Sequence, residues 1–440
     1  MRTGTIARSI AVTGAVVLAV TACGGSDNKG GSTKADSSAK QVKIYGTDGN
    51  MGNALGAKFT KQGSLAGMKG TLPLTDLSSA FKDRLKTVDP NLKDFNYAGE
   101  TYDAVTISAV AAQLAGTNDA NKFKVYVNGV TFGGDKCKDF KSCLDIVKGG
   151  GNPDYDGQSG PLSFADAGEP AQASFGLEQF GTDNKIDDTK TKFVLAGDVK
   201  NAAKDEGPAP VTTVTGGPMV FGTLLPLTGD LAFLGPPEVA AAKLAVQDIN
   251  AAGGVLGKPA KLVEGDSGDA STDTATQTAD RLLQSGANVV VGAASSTVSL
   301  TVIDKITGAG VMQISPANTS DQFTTYNDNG LYFRTAPPDV LQARALADLI
   351  GADGNNTVGI LARNDAYGTG LAKNTQKNLV DQGLSENDVQ NVTYDPTAAN
   401  FDAEIQKMVS FNPDAIIVIG FDESSRIIEG LNAQGIGSQR

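Results

Sequence analysis

The stretch Asn288–Ser320, NVVVGAASSTVSLTVIDKITGAGVMQISPANTS, constrains the fold more than any other. Two short apolar, β-branched runs, Val289–Val291 and Val311–Ile314, each end in small and hydroxylated residues, and one amphipathic segment separates them. This is the pattern of a βαβ unit. Parallel strands of that kind leave a crevice beyond their carboxyl ends, where helix N-termini present unpaired backbone N–H groups to a ligand. Ser295, Ser296, Thr297, Ala317, Asn318 and Thr319 fall at those ends. For any one of them, capping the next helix is the simpler reading. Two such clusters in one unit point to a ligand site.

The alternation extends in both directions. Upstream, MVFGTLLPLTG reads as a strand and turn, and Pro236-Pro237-Glu238 opens a helix that Gly253-Gly254 stops, with Pro at the start and Gly past the end. The GGVLGKP that follows is not a P-loop, because its spacing is one residue short and Pro259 stands where Ser or Thr must bind magnesium. Downstream come a helix at 340–350, a strand Val358–Leu361 with ARNDAYGTG, helices at 371–380 and 401–411, a strand Ala415–Ile419, and a helix around Ile427–Leu431 that Gly435 ends. Strands and helices alternating at this spacing mean a doubly wound, mostly parallel α/β fold. The last helix calls for a further strand.

The first half carries fewer signals. Residues 1–22 join Arg2 and Arg8 to an apolar run too short to span a bilayer, which reads as an export signal. Val20-Thr21-Ala22-Cys23 resembles a bacterial lipobox, which would make Cys23 the lipidated first residue of the mature protein. Residues 23–40 form a Gly/Ser/Lys-rich tether. Val42–Tyr45 is a strand, Ser78 opens a helix, and Tyr102–Leu114 is a helix apolar nearly all round, hence buried. Outside the cytoplasm Cys137 and Cys143 most simply form a small disulfide; with no histidine and one other cysteine in the chain, a metal site lacks ligands. NPDYDGQSGPLS is a partial calcium-loop match whose Ser163 stands where the bidentate Glu belongs, so turn chemistry is the better account. Residues 173–181 make a strand. From about 198 to 217 periodicity vanishes and Pro, Gly and Thr dominate, marking a linker.

At 440 residues the chain exceeds one core, and two lobes are expected. The absence of histidine removes Ser-His-Asp and Cys-His catalysis. A net charge of −12 argues against nucleic acid.

These residues carry a resemblance. GTLLPLTGDLAFLG, AVQDINAAGGVLGKP, GAASSTVS, ISPANTS, NDAYGTG and LNAQGIG make residues 218–440 similar to the N-terminal part of type I periplasmic binding proteins, the branched-chain amino acid substrate-binding lipoproteins of ABC transporters. YGTDGNMGNAL, AGETYDAV and DYDGQSG make residues 41–197 similar to the C-terminal part of that family. The order is inverted, so the resemblance implies a circular permutation in which Val42–Tyr45 supplies the strand due after Gly435. The 198–217 linker then joins the family's usual termini, and twenty residues reach about 66 Å. One lobe would combine roughly 218–337 with 76–160, the other roughly 338–440 with 41–75 and 161–197.

By the same resemblance the lobes close over a small ligand. Ser296 and Thr319, with Thr297 beside them, match positions holding a ligand carboxylate, and the carbonyl of Ala317 matches one that accepts from an ammonium. Asp48 matches the acid that pairs with the ammonium from the other lobe, and Tyr367 and Phe421 match aromatic walls or, equally, plain core. Leu234 stands where amino-acid binders often carry an aromatic ring, and Phe421 lacks a tyrosine hydroxyl, which leaves an amide or another polar metabolite as an alternative ligand. The resemblance implies a monomeric, lipid-anchored, extracytoplasmic binding protein with an ABC permease partner, no cofactor and no catalysis. The competing readings are a sensor subunit with the same cleft and a hydrolase using acids such as Asp154 and Asp156.

Overall fold

The computed structural model describes residues 41–438. The signal segment, the tether and Cys23 lie outside the described residues. Among the described residues, no helix is long and apolar enough to cross a membrane.

The first six strands are β1 (Lys43–Gly46), β2 (Lys69–Pro73), β3 (Asp135–Cys137), β4 (Pro153–Tyr155), β5 (Gln172–Gln179) and β6 (Lys192–Gly197). The second half of the chain adds β7 (Val220–Leu224), β8 (Lys261–Val263), β9 (Val289–Gly292), β10 (Met312–Ser315), β11 (Tyr332–Arg334), β12 (Val358–Arg363), β13 (Val389–Tyr394) and β14 (Ala415–Ile419). One sheet runs β11-β10-β9-β7-β8 and is parallel throughout. The larger runs β13-β12-β14-β1-β2-β5-β6, parallel as far as β2 and antiparallel at the β2–β5 and β5–β6 pairings. Strands from the two halves of the sequence are neighbours in it: Lys43, Ile44 and Tyr45 of β1 pair with Ala415, Ile416 and Ile417 of β14.

The central strands read as unbroken apolar runs because both faces are covered. Val289–Val291 and Ala415–Ile419 are buried at every position, as parallel strands under helices on both sides must be. The helix Ala98–Ala115 is buried along its whole length except at Gln113, and its small residues let it pack closely against the helix Gly235–Ala251. Several strands carried no clear alternation. β8 (KLV) and β11 (YFR) are three residues long, too short for a period to register, and β6 (KFVLAG) is an edge strand whose Phe193 and Leu195 stay exposed.

The small β3–β4 sheet is pinned by a disulfide between Cys137 and Cys143. Asp154 and Asp156 both pair with Lys136 at 2.9 Å, so the partial calcium loop is spent on surface ion pairs. The 198–217 segment is tied along the smaller-sheet half: Ala203 N–H donates to Phe164, Val211 N–H to Leu114 and Thr215 N–H to Gly116.

Two acids are buried where the Ala98–Ala115 and Gly235–Ala251 helices begin, Glu100 and Glu238. Burial pushes the Glu100 carboxyl up to about 8, with Asp103 adding to the rise, and pushes Glu238 up as well. The folded state therefore holds a proton on Glu100 that the unfolded chain has released, and stability falls as pH rises from 4.5 to about 8. Glu100→Gln removes that slope. Melting curves taken across this window should converge on the variant's at the acid end and fall below it toward pH 8; parallel curves would show that Glu100 is ionised in the fold.

Candidate functional site

Two residues past β1 the chain places Asp48 in a closed space between the two sheets. Its carboxylate accepts three hydrogen bonds, from Tyr97 Oη at 2.7 Å, Tyr367 Oη at 2.7 Å and Gln342 Nε2 at 2.9 Å. Burial pushes this carboxyl up, and the three side-chain donors, with the Asp48 backbone N–H, pull it back. Both tyrosine hydroxyls are pushed far up by burial and by the charge of Asp48, so they remain donors. A carboxylate has about four acceptor positions. Three side-chain donors and its own backbone N–H draw on them, and the negative charge they support faces the cavity.

Opposite Asp48, the end of β9 leads into the helix Ser296–Gly308 and the end of β10 into Ala317-Asn318-Thr319. Ser296 is buried at the helix N-terminus, and its hydroxyl accepts from the Ser320 N–H at 3.3 Å, which leaves its own hydrogen to donate. Thr319 lines the same space. Hydroxyl donors at a helix N-terminus favour an anion. The arrangement therefore has an anionic wall and a donor wall, as a zwitterion requires.

The remaining walls are apolar: Leu231 and Leu234 on one side, Ala294 and Ala317 at the strand ends, and the Phe421 ring stacked on Tyr367 with centroids 5.4 Å apart. Behind Phe421 the Arg363 guanidinium lies 3.6 Å from the ring centroid and is fixed by Glu423 and Asp365. The space between these walls is narrow, with a cavity volume of about 10 Å³, room for about one water-sized probe. A wider surface groove between β5, β6 and the helix Asp339–Ala352 has charges of both signs in its lining, with Lys69 already paired to Asp353 at 2.7 Å.

The structure brings Asp48, Ser296, Ala317, Thr319, Tyr367 and Phe421 to this one cavity. Thr297 stands outside its lining, where its hydroxyl accepts the Ala366 N–H at 3.2 Å and so joins the two halves. Ser295 is a helix cap, accepting from the Val298 N–H, and Asn318 is a strut that bonds Ala294 and Tyr332.

Sequence reasoning missed Tyr97, Leu231 and Gln342. Tyr97 caps the helix Ala98–Ala115 with φ at +58°, a left-handed conformation that costs a non-glycine residue about 1–3 kcal/mol and sends its hydroxyl across to Asp48. No local pattern announces such a backbone. Gln342 had a usable signal, since it is a polar residue on the helix face shared by buried Ala345 and Leu346. Among the described residues, no group of acids and cysteines is placed to hold a metal ion.

Residues 218–440, just over half of the chain, match the periplasmic binding protein family. A Leu/Ile/Val-binding protein homologue of Brucella melitensis is 28% identical over 205 residues, 46% of this chain and 54% of that protein. An amino acid binding protein of Pseudomonas aeruginosa is 28% identical over 221 residues, 50% of this chain and 58% of that protein. The chain thus spans little more than half the length of these curated relatives. Among solved structures, the branched-chain amino acid transporter substrate-binding protein LivJ of Streptococcus pneumoniae, in complex with isoleucine, is 28% identical, with a TM-score of 0.43 over 50% of this chain and 62% of that one.

Proposed function

The chain belongs to the periplasmic binding protein family, and from that membership we propose that it is an extracytoplasmic receptor that captures an α-amino acid in the cavity between its two sheets. The observation that carries this reading is the opposition of the Asp48 carboxylate to the hydroxyl donors Ser296 and Thr319 across a narrow space with apolar side walls. Charge-assisted hydrogen bonds at both ends orient the ligand, and Leu231, Leu234 and the Tyr367–Phe421 stack select an aliphatic side chain. The names of the relatives, which bind leucine, isoleucine and valine, agree with this choice. The partner is then the permease of an ABC transporter, and Cys23 carries the lipid anchor.

The reading includes the inverted order. The family match begins at 218, and residues 41–197 complete the larger sheet by inserting β1 and β2 between β14 and β5. This supports a circularly permuted binding protein whose 198–217 segment links the family's usual termini.

Calorimetry and melting curves with single amino acids, amides and polyols test the function. A binder at a hundredfold excess over its Kd stabilises the fold by about 2.7 kcal/mol, and only α-amino acids should do so. A protein that ignores all of them while a polyol or amide shifts it overturns the amino-acid reading. A variant with 218–440 placed ahead of 41–197, and without the linker, should bind with the same Kd. An unfolded product would defeat the permutation and leave the ligand reading standing.

A further inference from the structure

We propose that the free edge of β6 is where two copies of this chain pair, antiparallel and edge to edge, joining their larger sheets into one. The pairing holds whatever ligand the cavity takes.

The larger sheet ends in β13 on one side and β6 on the other. An edge strand carries a row of backbone N–H and C=O groups with no neighbour, and soluble proteins blunt such edges with polar or charged side chains. The β13 edge, VQNVTY, follows that rule, since its exposed positions are Asn391 and Thr393. The β6 edge, KFVLAG, does not. Phe193 is 43% exposed and Leu195 68%.

The ladder fixes which backbone groups point outward. The Leu74 N–H donates to Ser174, and the Asp198 N–H donates to Ala171. Alternate residues of an antiparallel strand turn their polar groups to opposite sides, so β5 meets β2 through Ser174 and meets β6 through Ala173 and Phe175. The partners of those two, Ala196 and Val194, are bonded inward. This leaves the N–H and C=O of Phe193 and Leu195 pointing off the sheet. Side chains alternate across its faces: Val194 and Ala196 pack with Phe175 and Ala345 under the helix Asp339–Ala352, and Phe193 and Leu195 stand on the other face.

The strand is complementary to itself. When it is laid antiparallel to a second copy about a two-fold axis at Val194, Phe193 falls opposite Leu195 and Leu195 opposite Phe193. Four exposed apolar side chains then cover one another, the outward backbone groups exchange hydrogen bonds, and every contact occurs twice. Lys192 lies diagonally across from Asp198 of the second copy, within reach of a long side chain, and both residues are exposed. The groove between β6 and the helix Asp339–Ala352, about 760 Å³ and lined there by Val194, Leu349 and Ala352, leaves the approach open. β6 stands three strands from β1, which leads to Asp48, so the pairing leaves the cavity clear. The family resemblance implies a single copy; the exposed apolar edge argues for two.

The test is sedimentation equilibrium of the native chain and Leu195→Lys, with cross-linking of Val194→Cys and Phe193→Cys in air. The native chain should approach twice the mass of one copy as its concentration rises. Leu195→Lys sets two cations among the apolar side chains and should stay a single copy, with an unchanged melting temperature because the side chain is largely exposed. Val194→Cys reads the register: residues opposite each other in a pair without hydrogen bonds have Cα atoms about 4.5 Å apart, within the span of a disulfide, so two copies should link and a reductant should part them. The two copies of Phe193→Cys lie a two-residue step apart along the strands and should not link. A native chain that remains single at about 1 mM overturns the proposal and leaves the edge to an extended segment of another protein. Association that survives Leu195→Lys, or Val194→Cys linking no faster than Phe193→Cys, overturns it as well.

Discussion

Asp48→Ala is expected to weaken binding of L-leucine by about a hundredfold or more while moving the melting temperature of the unliganded protein by only a few degrees. The two effects separate because the carboxylate does different work in the two states. In the proposed complex it would meet the ammonium, and truncating one partner of a buried, hydrogen-bonded charge pair costs about 2–5 kcal/mol, or roughly 30-fold to several thousandfold in Kd. Without ligand, it is a buried anion whose burial opposes its charge, compensated by Tyr97, Tyr367 and Gln342. Removing it loses three hydrogen bonds worth about 1 kcal/mol each and also removes the penalty of burying the anion. Those terms oppose each other. Calorimetry on the variant paired with its melting curve reads both, and a variant that binds L-leucine like the native protein would remove the ammonium from this end of the cavity.

The same residue shows what the sequence made legible and what it did not. Asp48 came from the family resemblance of YGTDGN, while strand ends rich in small and hydroxylated residues pointed to Ser296 and Thr319, and all three line one cavity. Their neighbours needed coordinates. Ser295, Ser296 and Thr297 are chemically alike and adjacent, yet one caps a helix, one faces the cavity and one bridges to Ala366. One helical residue turns the side chain by about 100°, and composition cannot tell which of three consecutive hydroxyls faces inward. Tyr97 depends on a left-handed backbone, and Gln342 lies on a helix whose buried Ala345, Leu346 and Ile350 are ordinary core. Strands with continuous apolar runs were visible; β8 and β11 were not, because three residues held in place by their neighbours need no pattern of their own.

Glu169→Ala should cost about 3–5 kcal/mol of folding stability, the penalty for leaving a buried charge without its partner. The charge is Arg334, fully buried at the end of β11. Glu169 holds its Nε at 2.9 Å and also pairs with its second terminal nitrogen, while the first donates to the carbonyls of Ser320 at 2.8 Å and Asn318 at 3.3 Å. Glu169 therefore aims the guanidinium, and the guanidinium holds the turn that carries Thr319. Glu169→Ala should consequently melt well below native and also bind L-leucine more weakly. The two effects can be pulled apart with the double variant Glu169→Gln/Arg334→Met. It contains no buried charge and should recover most of the lost stability, since replacing a buried ion pair with uncharged groups of similar size is often neutral. It leaves the Asn318 and Ser320 carbonyls without their donor, so the weakened binding should persist. Recovery of affinity together with stability would mean that Arg334 serves the fold alone and that the Thr319 turn holds its shape without it.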